Sequence, residues 1–305
     1  MRPLLKYPFP SRINPGVDLL EENAISIIEA YQLLPDAFNE KLKKINAGYW
    51  AAASWPNGTE EQLSVITRWL IWAITFDDYY GPLNLDDLSE ACARSVEILR
   101  GAPITAHDNE IFRQLSLVRE ALQSFVTDQW MARFIDDHIH FFEGLMIDTN
   151  YSYKPVARYP SLEDYLEIRV KIMLAPGVAD LIEVTTGSIL PEDVYNHPYI
   201  RRISALAYDM MGWANDLYSL EKEILAHEVM NLVLVLQHTQ NRSPEDAIQE
   251  AVRMHDAHLE KFTKLSHAIP DFGANQALVQ KYVEGLGTWL NGHISWLSYT
   301  SRYLV

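Results

Sequence analysis

The amino-acid sequence predicts an all-α fold. Long stretches carry apolar residues at helical spacing, several open on capping signals, and no alternating strands joined by hairpin turns appear. Helices are expected over 17–33, 37–53, 60–79, 85–99, 108–127, 129–147, 161–175, 198–225, 228–241, 244–266 and 274–300. Three of these starts carry capping pairs: Thr59 with Gln62, Ser161 with Asp164, and Ser243 with Asp246. In each, the hydroxyl can accept from an orphan N–H of the first turn; Pro244 suits the first helical position because its φ is already fixed. The helix over 60–79 is apolar through Val65, Ile66, Trp69, Leu70, Ile71, Trp72, Ala73, Ile74 and Phe76, and stops before Gly81-Pro82. Asp86 and Asp87 lie beyond that break and begin the next helix. The other helices rest on periodicity.

The chain has 305 residues, 48% of them hydrophobic, and no linker, repeat or low-complexity tract divides it, so one domain with a sizeable core is expected. Its net charge of -16 argues against nucleic acid as a partner. An acidic protein can still hold a polyanion if divalent cations stand between them. The single cysteine, Cys92, excludes an intramolecular disulfide framework and a cysteine-based zinc site. The N-terminal stretch lacks a hydrophobic signal core and no apolar run approaches a membrane span, so a soluble, cytoplasmic protein is expected. Eight tryptophans and 16 tyrosines exceed what a plain bundle needs; most are expected in the core and a minority along an apolar cavity.

Asn215, Ser219 and Glu223 stand four residues apart. On a helix such positions lie within roughly 80° of one another and climb about 12 Å. An amide oxygen, a hydroxyl and a carboxylate are all hard donors, suited to Mg²⁺ or Mn²⁺. One carboxylate leaves much of a divalent charge unneutralised, so the site invites an anion such as a phosphate ester. Polar residues at this spacing commonly form a solvated face, but here the stripe runs back through Gly212, Met211 and Tyr208, as a pocket lining would. A second acidic feature closes the helix over 60–79: Asp77 follows Leu70, Ala73 and Ile74 on one face, with Asp78 beside it. Carboxylates there are costly unless solvated, paired or bound to metal.

This pair of sites resembles the class I terpene synthases (terpene cyclases), specifically the bacterial type. Arg169 lies at the family's distance before the Asn of the second motif, Lys222 just precedes the motif's Glu, and Arg302-Tyr303 looks like the C-terminal pair. Asn231-Leu232-Val233-Leu234-Val235-Leu236 is also similar to the stretch downstream of the motif in many members. The likeness runs from about Asp77 to the end of the chain. It implies a bundle of about 10–11 helices around a central apolar cavity, and a homodimer is the family-like assembly. Two departures stand out: the third acid of the first motif is replaced by Gly81, and Met173 occupies a helix-break position that often carries a small residue.

The resemblance implies three Mg²⁺ ions, with Mn²⁺ as a substitute, shared between Asp77 and the Asn215/Ser219/Glu223 triad. Asp78 would hold Arg169 or a metal-bound water. Arg169, Lys222, Arg302 and Tyr303 would act on the diphosphate of a linear prenyl donor, with C15 farnesyl diphosphate ahead of the C20 and C10 homologues. Trp72, Phe76, Tyr208, Met211 and Trp296 are the expected cavity lining. A chain-elongating prenyltransferase normally has two Asp-rich motifs, so the triad argues for a cyclase; a non-catalytic helical binding protein finds its support in Gly81. Asp136-Asp137-His138-Ile139-His140 points around a helix, and neither His255-Asp256 with His107-Asp108 nor His227-Glu228 completes a metal motif.

Overall fold

A computed structural model describes residues 4–31, 36–154 and 156–304. Among them all regular structure is helical. The first group comprises α1 (Val17–Ala30), α2 (Asp36–Lys43), α3 (Ala47–Ser54), α4 (Glu60–Tyr80), α5 (Leu85–Leu99), α6 (Glu110–Leu122) and α7 (Asp128–Asp148). Next come α8 (Leu162–Ile172), α9 (Ala175–Thr186), the short α10 (Glu192–Tyr195) and the long α11 (Pro198–Ala226). The chain ends with α12 (Leu232–Gln240), α13 (Pro244–Ser266), a 3₁₀ turn (Gly273–Asn275) and α14 (Gln276–Tyr299).

Local chemistry fixes the starts. Thr59 and Gln62 form a reciprocal capping box on α4, Ser161 accepts from Asp164 N on α8, and Ser243 accepts from Asp246 N on α13. Asn84, Asn109, Thr127 and Asn231 cap α5, α6, α7 and α12 in the same manner. Helix α11 runs through the middle of the molecule, packed against α8, α9, α12, α13 and α14; α3 joins α1, α4 and α14. No helix among the described residues is long and apolar enough to cross a membrane.

Several boundaries differ from the sequence expectation. The stretch 37–53 is two helices, because Asn46 adopts a left-handed φ of 55° between them. The helix expected over 161–175 ends at Ile172; Leu174 turns left-handed (φ 48°) and α9 starts at Ala175 with Pro176 in its first turn. Neither α9 nor α10 was expected. The region 228–241 is helical only from Leu232, and 108–127 only over Glu110–Leu122. Residues 32–33, expected to finish the first helix, lie outside the described residues.

Candidate active site

A cavity opens between α3, α4, α7, α8, α9, α11 and α14, apolar at one end and charged at the other. Trp50, Trp69, Leu70, Ala73, Ile74 and Phe141 are among its apolar wall. On α4 the lining residues 69, 70, 73, 74 and 77 share one helical face, so the apolar stripe leads directly to Asp77. Burial, with Asp78 and Glu228 nearby, pushes the Asp77 carboxyl up to about 7, against the pull of Lys222 and Arg302.

Across the cavity, α11 presents Asn215, Lys222 and Glu223, with buried Ser219 between them. The Ser219 hydroxyl lies 2.8 Å from both Asn215 O and Glu223 Oε1, within donating distance of each. The Asn215 amide is used at both ends: Oδ1 accepts from Arg169 Nη2 at 3.0 Å and Nδ2 donates to the Tyr303 hydroxyl at 3.0 Å. Arg169 comes from α8 and also forms an ion pair with Asp216, whose carboxylate accepts from the Tyr165 hydroxyl and, at 2.6 Å, from Leu232 N. Lys222 Nζ pairs with Glu228 at 3.0 Å. Arg302 clamps Asp78 through two bonds of 2.8 Å each. Burial works to raise the Asp78 carboxyl, but the Arg302 guanidinium outweighs it and holds the group below the usual carboxylate range.

Asp78 therefore holds Arg302 and not Arg169, whose partner is Asp216 beside the triad. Gly81 ends α4, its N–H donating to Asp77 O at 2.9 Å, so no third acid faces the cavity from this turn. Met173 and Leu174 both reach the cavity wall at the break between α8 and α9.

Of the five residues expected to line the cavity, Trp296 does so and four do not. Trp72 and Phe76 point to a neighbouring face of α4, where Trp72 packs on His138 and Phe76 on Phe141 and Phe142. Tyr208 lies farther along α11, near Tyr195, Tyr282, Asp137 and Asp180, and Met211 is core. Conversely, Asp148, Ser152, Tyr153 and Glu228 line the charged end without having been expected there. Burial pushes the Asp148 carboxyl up to about 6.

His138 accepts from Trp69 Nε1 at 3.0 Å and faces Phe134 O at 2.7 Å, and the His255 ring meets the Tyr7 hydroxyl at 2.7 Å. His227 is the left-handed residue that ends α11.

Among the described residues no three His, Cys, Asp or Glu side chains assemble as a metal site. The donors that stack on α11 are instead an amide oxygen, a hydroxyl and a single carboxylate, which fit a hard divalent cation. Asp77, whose carboxyl is raised by burial and then by neighbouring acids, is equally suited to a cation facing it. Asp77, Asn215, Ser219 and Glu223 could hold such ions, while Arg169, Lys222, Arg302 and Tyr303 surround the same end.

Comparison with known proteins agrees with this arrangement. The model of one family, terpene synthase family 2, C-terminal metal binding, matches residues 68–261. The chain belongs to that family and is a bacterial-type class I terpene synthase, not an elongating prenyltransferase or a non-catalytic binding protein. It is 27% identical to germacrene A synthase of Nostoc punctiforme over 99% of this chain and 94% of that protein. It is 28% identical, over 99% of this chain and 94% of the relative, to the (+)-T-muurolol synthase ((2E,6E)-farnesyl diphosphate cyclizing) of Roseiflexus castenholzii. Among solved structures, the linalool/nerolidol synthase of Streptomyces clavuligerus superposes with a TM-score of 0.85 at 20% identity, covering 96% of this chain and 100% of that chain. This last likeness concerns the fold.

Proposed function

We propose that this terpene synthase ionises farnesyl diphosphate, a linear C15 prenyl diphosphate, and cyclises the cation to a sesquiterpene with release of diphosphate. The observation that carries the reading is the convergence of four groups suited to diphosphate, Arg169, Lys222, Arg302 and Tyr303, on the polar end of an aromatic cavity. Relatives whose names specify farnesyl diphosphate support the chain length. Mg²⁺, as three ions or with Mn²⁺ in its place, would be held by Asp77, Asn215, Ser219 and Glu223 and would neutralise the diphosphate so that it can leave.

The protein's own groups do the rest. Arg169, Lys222 and Arg302 bring fixed positive charge to the leaving anion, and Tyr303 adds a hydroxyl donor. Asp78 acts through Arg302 by fixing the plane of its guanidinium. Trp50, Trp69 and Trp296 face the hydrocarbon, exclude water from it and offer ring faces to cationic carbons. We place the enzyme in the cytoplasm as a single domain, with a homodimer as its assembled form. Incubation with Mg²⁺ and the C10, C15 and C20 diphosphates, followed by gas chromatography–mass spectrometry, tests the proposal. Cyclic C15 hydrocarbon or alcohol is the expected product; turnover of the C20 donor alone would overturn the assignment of chain length.

A further inference from the structure

Asn231 caps α12 and is fully buried. Its side-chain oxygen accepts from Val233 N at 2.9 Å, which is all that capping requires. Serine, threonine or aspartate would cap as well. The amide nitrogen is surplus to that task. It donates to Glu223 Oε2 at 2.7 Å and to the Asp216 carbonyl at 2.9 Å. The other Glu223 oxygen lies 2.8 Å from the Ser219 hydroxyl. The carboxylate is thus gripped from both sides, once from its own helix and once from the next helix in the chain.

We infer that Asn231 is a positioning residue that aims the Glu223 carboxylate at its metal ion. The inference rests on the reading of Asn215, Ser219 and Glu223 as metal ligands. A glutamate side chain has three rotatable bonds, and one held at only one oxygen can still swing about that contact. The second bond, from Asn231, removes that freedom. It also anchors α12 to α11 through Asp216, so the carboxylate is referenced to a rigid pair of helices and not to a loop. Only asparagine or glutamine supplies an acceptor and two donors from one side chain, and asparagine is the better cap.

Asn231→Ser separates the two roles, because it keeps a capping oxygen and deletes the amide; Asn231→Thr does the same with a second side chain. Mn²⁺ binding is titrated in the presence of inorganic diphosphate and read by electron paramagnetic resonance of the free ion, corrected for a protein-free control. We expect either variant to remain folded with a cooperative melt, lowered by about 2–6 °C for the two buried bonds lost, and to bind Mn²⁺ about 10–100-fold more weakly. Saturating Mn²⁺ restores most of kcat, since the ligand itself remains. A folded cap-retaining variant that binds Mn²⁺ within about twofold of the parent overturns the inference. Glu223→Ala is the control: if it too leaves Mn²⁺ affinity intact, the ligand triad itself is wrong, whereas loss in Glu223→Ala alone rejects only the role of Asn231.

Discussion

At the scale of single residues, Asp77 and Asp78 have opposite fates although they are neighbours. Both oxygens of Asp78 are taken by Arg302, while Asp77 turns to the cavity with no arginine of its own. Gly81 belongs to the same turn. A Cβ there would come within 2.6 Å of the Asp77 carbonyl oxygen, so the acid usual at that position in the family does not fit without moving Asp77. Gly81→Asp is accordingly expected to lower turnover, by up to about 100-fold if Asp77 shifts by an ångström, measured as diphosphate release. His138 supplies a pH prediction. Burial lowers its pKa to about 4, and with Nε2 accepting from Trp69 the proton sits on Nδ1, facing Phe134 O. Well above pH 6.5 neither state of the chain protonates this ring. As pH falls from 6.5 to about 4, the unfolded chain takes up a proton that the folded one refuses, so stability declines through that window. Chemical denaturation at several pH values should show this slope, and it should be flatter in His138→Gln; ring resonances of His138 in the native protein should stay unprotonated to about pH 4.

At the scale of elements, two left-handed residues frame the charged end. His227 closes α11 at φ 58° and accepts at its carbonyl from the amide of Tyr153, itself at φ 58°. His227 is exposed, so glycine there relieves the backbone without losing packing. His227→Gly is expected to gain about 1 kcal/mol and raise the melting temperature by about 1–3 °C, read by calorimetry. The same elements show what the sequence could and could not reveal. Helix α4 was legible from end to end because a capping box opens it and Gly81-Pro82 closes it off. The break after α8 falls at Met173, where the resemblance puts it, while periodicity alone carries the helix on to 175; Pro176, which can mark a stop or a start, sits in the first turn of α9. The split falls on Asn46 itself, with no proline near it, and Gly48 lies inside the first turn of α3 and so does not mark the break. Of the residues placed by spacing along α11 or by distance from it, Arg169, Asn215, Lys222 and Glu223 line the cavity, with Ser219 buried between Asn215 and Glu223. Those at helix ends and loops, Asp148, Tyr153 and Glu228, have no periodic signature. Trp72 and Phe76 were placed on the wrong face because α4 is buried on several sides, and an apolar residue there does not reveal which way it points.

At the scale of the whole molecule, the site joins distant parts of the chain. Arg302 reaches Asp78 across 224 residues, and Tyr303 is buried against Asn215. The segment after α14 therefore closes over the charged end, and its anchors are the groups proposed to serve the diphosphate. Protection of the C-terminal segment from limited proteolysis should rise when Mg²⁺ and diphosphate are added together, followed by mass spectrometry of the released peptides. Equal cleavage in both conditions would count against closure on binding.

One wall of the cavity also has an optical consequence. Trp50 and Trp296 stack with ring centroids 3.9 Å apart and planes within 9°, and Tyr303 meets the edge of Trp296 at 5.9 Å. Both indoles face the hydrocarbon end, and one of them touches the closing segment. The protein thus carries an intrinsic fluorophore where the apolar end of the cavity meets the C-terminal segment. Because the chain has eight tryptophans, a stopped-flow change in emission on adding Mg²⁺ and a prenyl diphosphate is assigned to this pair where it is lost in Trp296→Phe.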